Sequence, residues 1–117
     1  MQSLIKNELG TIAIDNEVIG RLAGLAAMEC YGVVGMAAKS IRDGLVHLLK
    51  IESLTKGVRI KVTDEGDLII NLHIIVEYGT NIVAIANTLI DNVKYKLESC
   101  VGLTVREVNI YVESVRV

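Results

Sequence analysis

From Val58 to Tyr78 the chain carries the pattern of a β-hairpin, and this pattern restricts the fold more than any other feature. Val58, Ile60 and Val62 alternate with Arg59, Lys61 and Thr63, the period of two that turns one side of a strand inward and the other to water. Asp64-Glu65-Gly66-Asp67 then reverses the chain, with Gly66 able to take a positive φ. The returning strand, from Leu68 to about Tyr78, places Leu68, Ile70, Leu72, Ile74 and Val76 on one face. The acidic turn lacks the ligand spacing of an EF-hand loop, so it is read as a turn and not as a calcium site.

The rest of the chain supplies layers to cover that face. Thr11-Ile12-Ala13-Ile14 reads as a short strand, and Asp15 as the N-cap of a helix whose apolar stripe is Val18, Leu22, Leu25 and Ala26. Gly20 and Gly24 share a face of that helix and admit a close neighbour, and Gly32 is placed to end it. Ser40-Ile41-Arg42-Asp43 resembles a capping box opening a second helix, with Ile41, Leu45, Leu48 and Leu49 as its stripe. A third helix is expected from Gly79-Thr80, with Thr80 as N-cap and Ile82, Ile85, Ala86, Leu89 and Val93 turned inward, ending at Val101-Gly102. A last strand, Thr104 to Val117, puts Val108, Ile110 and Val112 on one face and Asn109, Tyr111 and Glu113 on the other. The expected order is β-α-α-β-β-α-β, an α+β fold with helices packed on one face of a mixed or antiparallel sheet. At 117 residues, 51% of them hydrophobic, the chain fits a single domain over 1–117 with a core large enough to need no staple.

The chemistry of the chain argues against catalysis. The two histidines form no HxxxH or HExxH pair, and there is no Gly-x-Ser-x-Gly elbow. His47 falls on the expected second helix at its rim, and His73 on a strand face with Asn71 and Glu77. Cys30 and Cys100 lie near helix ends without metal or redox spacing and read as reduced thiols, although sequence leaves their pairing open. Gly35 to Ser40 lacks the second glycine of a phosphate loop. No catalytic, cofactor or metal residue is therefore assigned. A net charge of −2 gives no general pull toward nucleic acid or anionic lipid. The N-terminus has no signal-peptide layout, and the apolar run from Leu22 to Ala38 is short and glycine-rich for a membrane span. A cytoplasmic protein is expected.

Several segments, taken in order, resemble the alkaline-shock (cell-envelope-stress) proteins of mainly Gram-positive bacteria. They are Gly10-Thr11-Ile12-Ala13-Ile14, Gly32-Val33-Val34-Gly35-Met36, Gly57-Val58-Arg59-Ile60, Val76-Glu77-Tyr78-Gly79-Thr80-Asn81-Ile82 and Gly102-Leu103-Thr104-Val105-Arg106-Glu107-Val108-Asn109-Ile110-Tyr111-Val112. The resemblance implies a compact member of a family tied to envelope homeostasis, with no established catalytic residue and, in some members, a separate membrane-anchor protein. It also implies a possible neighbour, since compact members are commonly encoded beside a kinase of the fatty-acid or dihydroxyacetone type.

The leading expectation is a non-catalytic interaction protein working through protein–protein contacts. Its candidate surface is Ile69, Asn71, His73, Ile75, Tyr111, Val115 and Val117, apolar and polar groups mixed on the odd face of two long strands. Those strands also point to self-association through the sheet, with the C-terminal strand involved. Two alternatives stay open at this level. One is a KH-like nucleic-acid module using Gly32-Val33-Val34-Gly35 as its GxxG loop, disfavoured by the acidic balance. The other is a regulatory partner of such a kinase, binding a lipid or acyl group in an apolar pocket between helix and sheet.

Overall fold

The computed structural model describes residues 2–39, 46–48 and 56–117. Its elements in chain order are β1 (Gln2–Asn7), β2 (Gly10–Asp15), α1 (Asn16–Met28), β3 (Val33–Lys39), β4 (Val46–Leu48), β5 (Val58–Val62), β6 (Leu68–Glu77), α2 (Ile82–Val101) and β7 (Val105–Arg116). The class is α+β, and the sheet is mixed.

β6 occupies the middle of the sheet. Along one edge β5 pairs antiparallel with its first half, Val58↔Leu72 to Val62↔Leu68, and β3 with its second half, Val33↔Val76 to Met36↔Ile74. β5 and β3 thus lie end to end. Along the other edge β7 runs parallel over the whole length, from Leu68↔Val105 to Glu77↔Arg116. Parallel neighbours need a crossover, and α2 supplies it. The hairpin read from sequence is present: Thr63 N–H donates to the Asp67 carbonyl at 2.8 Å, and Gly66 turns the chain at φ 89°. The alternating face Leu68, Ile70, Leu72, Ile74 and Val76 is almost entirely removed from water and forms the floor of the core.

α2 covers that floor with Ile85, Leu89, Val93, Leu97 and Val101, one residue per turn. Its cap is Asn81, whose Oδ1 accepts from Ala84 N–H at 3.1 Å. Thr80, expected in that role, donates its hydroxyl to the Glu77 carbonyl at 2.6 Å instead, so the helix begins one residue later and Ile82 is left partly exposed.

α1 starts as expected, with Asp15 Oδ1 accepting from Glu17 N–H at 2.9 Å, and it buries the face that Gly20 and Gly24 share, with Ala26 and in part Leu22 of the expected stripe but not Val18 or Leu25. Ile19, Gly20, Ala23, Gly24, Ala26 and Ala27 face inward, while Val18 is 50% and Leu25 44% exposed. Small side chains win because α1 must pack against α2, β5 and β3 at once. Bulky residues on that side would hold the layers apart. Two polar bonds tie the helices together: Asn92 Nδ2 donates to the Ala26 carbonyl at 2.9 Å, and Lys96 pairs with Glu29 at 2.9 Å. At the exit of α1, Gly32 has φ 89°, and a Cβ there would collide with Ile85 Cδ1 and crowd its Cγ1 at 3.0 Å. Only glycine meets both demands.

Two further expectations are corrected. The strand at Thr11–Ile14 is half of a hairpin, because β1 pairs antiparallel with β2 from Gln2↔Asp15 to Asn7↔Gly10. Asn7 Oδ1 closes its turn by accepting from Leu9 and Gly10 N–H at 2.8 and 3.0 Å. The expected second helix does not run through Val46–Leu48, which is β4, paired antiparallel with β3 from Ala37↔Leu48 to Lys39↔Val46. His47 is therefore on a strand. An open strand edge offers a row of unmet hydrogen-bond partners, and it outweighs the weak helical spacing of Leu45, Leu48 and Leu49. Residues 40–45 and 49–55, which carry the rest of that helix, lie outside the described residues.

The two helix faces separate in a stability measurement. Leu89→Ala is expected to cost about 2–5 kcal/mol through the cavity it leaves, and Leu25→Ala about 0.5 kcal/mol. Equal costs in denaturant melts would restore the sequence-derived face of α1.

Candidate functional site

Both helices pack on the even face of β6, so its odd positions form the opposite face of the sheet. Register fixes which side chains meet there. Arg59 of β5, Asn71 of β6 and Asn109 of β7 form one row across the three strands, Lys61, Ile69 and Glu107 the row beside it, and His73 faces Tyr111. Asn109 Nδ2 donates to Asn71 Oδ1 at 2.9 Å. The rings of His73 and Tyr111 stack with centroids 4.9 Å apart and planes 15° from parallel.

β7 departs from regular register twice, beside Arg106 and beside Glu113. Each bulge re-aims a side chain. At the second, Glu113 Oε1 comes to 2.7 Å from His73 Nδ1. A carboxylate only accepts, so the proton of this bond sits on Nδ1 and the ring orientation is fixed. The result is a pre-ordered strip of Asn71, Asn109, His73, Tyr111 and Glu113, with Arg59, Lys61 and Glu107 around it.

Of the sequence-derived surface, Ile69, Asn71, His73 and Tyr111 are brought together here. Ile75 is on the same face but buried. Val115 is not on this face. The bulge at Glu113 shifts the alternation, so Val115 pairs with Val76 and turns to the helix side. Val117 lies past the end of β7, fully exposed. The Arg59 and Lys61 rows were implicit in the hairpin alternation, but the reach of Glu113 depends on a bulge that no sequence period announces.

The GxxG reading is also corrected. Gly32 is in the turn after α1, and Val33, Val34 and Gly35 belong to β3, hydrogen-bonded to β6. A KH loop lies between two helices; here the segment joins a helix to a strand. An apolar groove of about 480 Å³ is lined by Val18, Leu22 and Leu25 with Asp15, Glu17 and Arg21. It lies on the outer side of α1 rather than between helix and sheet. Among the described residues no three His, Cys, Asp or Glu side chains converge as a metal site requires. No helix among them is long and apolar enough to cross a membrane.

Both cysteines are free thiols, Cys30 buried and Cys100 exposed. Burial pushes the Cys30 thiol pKa up, Asn92 opposes this through its contact with Sγ, and Glu29 adds to it.

Comparisons place this architecture. A family model of the alkaline shock proteins, described as of cell envelope-related function, matches residues 4–117. The uncharacterized protein YloU of Bacillus subtilis is 46% identical over 97% of this chain and 94% of its own length. The uncharacterized protein Spy1614 of Streptococcus pyogenes serotype M6 is 39% identical, over 97% and 93%. The uncharacterized protein YqhY of Bacillus subtilis is 30% identical, over 92% and 78%. No solved structure matches the chain at a significant level.

The thiols give a direct check on the α1–α2 junction. In the native protein a thiol reagent should titrate Cys100 promptly and Cys30 only on denaturation, because the thiolate attacks and burial suppresses it. Equal rates would mean that the junction around Asn92 is open.

Proposed function

Because the chain belongs to the alkaline-shock-protein family, whose function is cell envelope-related, we propose that it is a non-catalytic cytoplasmic interaction protein that holds a protein partner against the open face of its sheet. The observation that carries this reading is the ordered strip of Asn71, Asn109, His73, Tyr111 and Glu113 on the face away from both helices. Fixing those side chains before contact lowers the entropy cost of binding. A half-exposed tyrosine flanked by amide and charged groups has the composition of a binding surface with a polar rim. Arg59 and Lys61 face Glu107 and Glu113 across the strip, so the face carries both signs and suits a protein with matching charges better than a polyanion. Association with the envelope then runs through the partner.

The test is co-purification from the native host at endogenous level with a His73→Ala/Arg59→Ala double variant. Both side chains lie outside the core cluster, but His73→Ala leaves Glu113 without its partner, so the comparison is made at a temperature where circular dichroism shows both chains folded. Proteins recovered with the wild-type chain should be lost or reduced at least about tenfold. An unchanged set of partners with the fold intact would place the binding surface elsewhere.

A further inference from the structure

The open face of the sheet has a polarity across its strands. Arg59 and Lys61 of β5 are exposed, and so is Glu107 of β7. Register places them in the rows Arg59–Asn71–Asn109 and Lys61–Ile69–Glu107, so β6 puts an uncharged residue between the two signs. With strands about 4.8 Å apart, β5 and β7 are about 10 Å from each other. That exceeds the Debye length of about 8 Å at physiological salt. Among the described residues neither Arg59 nor Lys61 forms an ion pair with Glu107.

The amides between these charges are turned the same way. Asn109 Nδ2 lies 2.9 Å from Asn71 Oδ1 and 3.4 Å from Glu107 Oε2. A carboxylate cannot donate, so the Asn109 atom that faces Glu107 is nitrogen, and the Asn71 atom that faces this nitrogen is oxygen. Both N–H groups of Asn109 are then in use, and its Oδ1 remains as an acceptor. Asn71 keeps both of its N–H groups as donors. The free donors therefore sit beside Arg59 and the free acceptor beside Glu107. Arg106 of β7 departs from this pattern at the hairpin end, where it lines a groove of about 360 Å³ with Lys61 and the acidic turn residues Asp64 and Glu65.

We infer that the partner docks in one direction, through a peptide segment of opposite polarity, with a carboxylate side chain over Arg59 and Asn71 and a lysine or arginine over Asn109 and Glu107. This rests on the partner-binding reading and adds the chemistry of the partner. Arg59 can give the carboxylate two parallel N–H bonds, and Asn71 adds a third. Asn109 Oδ1 and Glu107 accept from the cation. The two partner side chains must stand about 10 Å apart, which is three residues along an extended segment or two turns along a helix. A segment laid the other way meets like charge at both ends, so the face selects direction as well as composition.

The probe is a random peptide library displayed on phage. It is selected on the immobilised full chain and counter-selected on the His73→Ala/Arg59→Ala chain, which leaves binders of the open face. Retained peptides should carry one acidic and one basic residue at a fixed spacing. As synthetic peptides they should bind Arg59→Glu and Glu107→Arg chains at least about tenfold more weakly. Asn71→Asp keeps the bond from Asn109 and removes the donors, so it should weaken them as well, with unchanged circular dichroism. The double reversal Arg59→Glu/Glu107→Arg should bind the same peptides once their acidic and basic residues are exchanged. Retained peptides of a single sign, or no recovery by the exchanged peptides, would overturn this inference and leave the partner-binding reading standing. A library with no retained peptide would overturn both.

Discussion

The constraint on which the structure depends is that β6 must be enclosed on three sides. Its even side chains, Leu68 through Val76, are too apolar for water, and both of its backbone edges carry hydrogen-bonding groups that a buried strand cannot leave unmet. β7 satisfies one edge alone. The other is satisfied in two pieces, because β5 is only five residues long and reaches no further along β6 than Val58 opposite Leu72. β3 takes over from Met36 opposite Ile74. Helices α1 and α2 then close the apolar face. What remains is the odd face, where His73 and Asn71 keep polar groups at positions that a fully enclosed strand would fill with valine or isoleucine.

The same requirement explains the composition of α1. Where β5, β6 and β7 lie side by side the sheet barely accommodates two helices, so the inward face of α1 is mostly glycine and alanine around Ile19, and Val18 and Leu25 point outward. The covered side of the molecule is thereby closely packed, and Val18 and Leu25 of α1 and Leu4, Leu9 and Ile12 of the N-terminal hairpin are left at the periphery.

Much of this was legible in the sequence where periodicity is strong. The alternation from Val58 to Val76 specified β5, β6 and their turn, and the i, i+4 spacing from Ile85 to Val93 specified α2. The parts that were not legible share a physical cause. The close-approach face of α1 was marked by Gly20 and Gly24, but hydropathy alone ranks it below Val18 and Leu25, which are exposed. β3 follows Gly32, is interrupted by Gly35 and pairs with β6 across some forty residues, and no local signal marks such a pairing. Val46–Leu48 fits a helical stripe locally and is a strand because β3 offers an edge. The placement of Glu113 against His73, and of Val115 away from it, depends on one bulge. Of the candidate face, the β6 residues could be read and the β7 residues only in part.

The claim that β6 carries the fold is tested most directly by native-state hydrogen exchange resolved by residue. Amides of Leu68 to Val76 should exchange only through global unfolding, with protection that tracks the stability of the whole chain as denaturant is raised. Amides of the β1–β2 arm should open locally and far sooner in dilute protein. If β6 amides exchanged through local openings as readily as those of the arm, the enclosure of β6 could not be what holds the structure together.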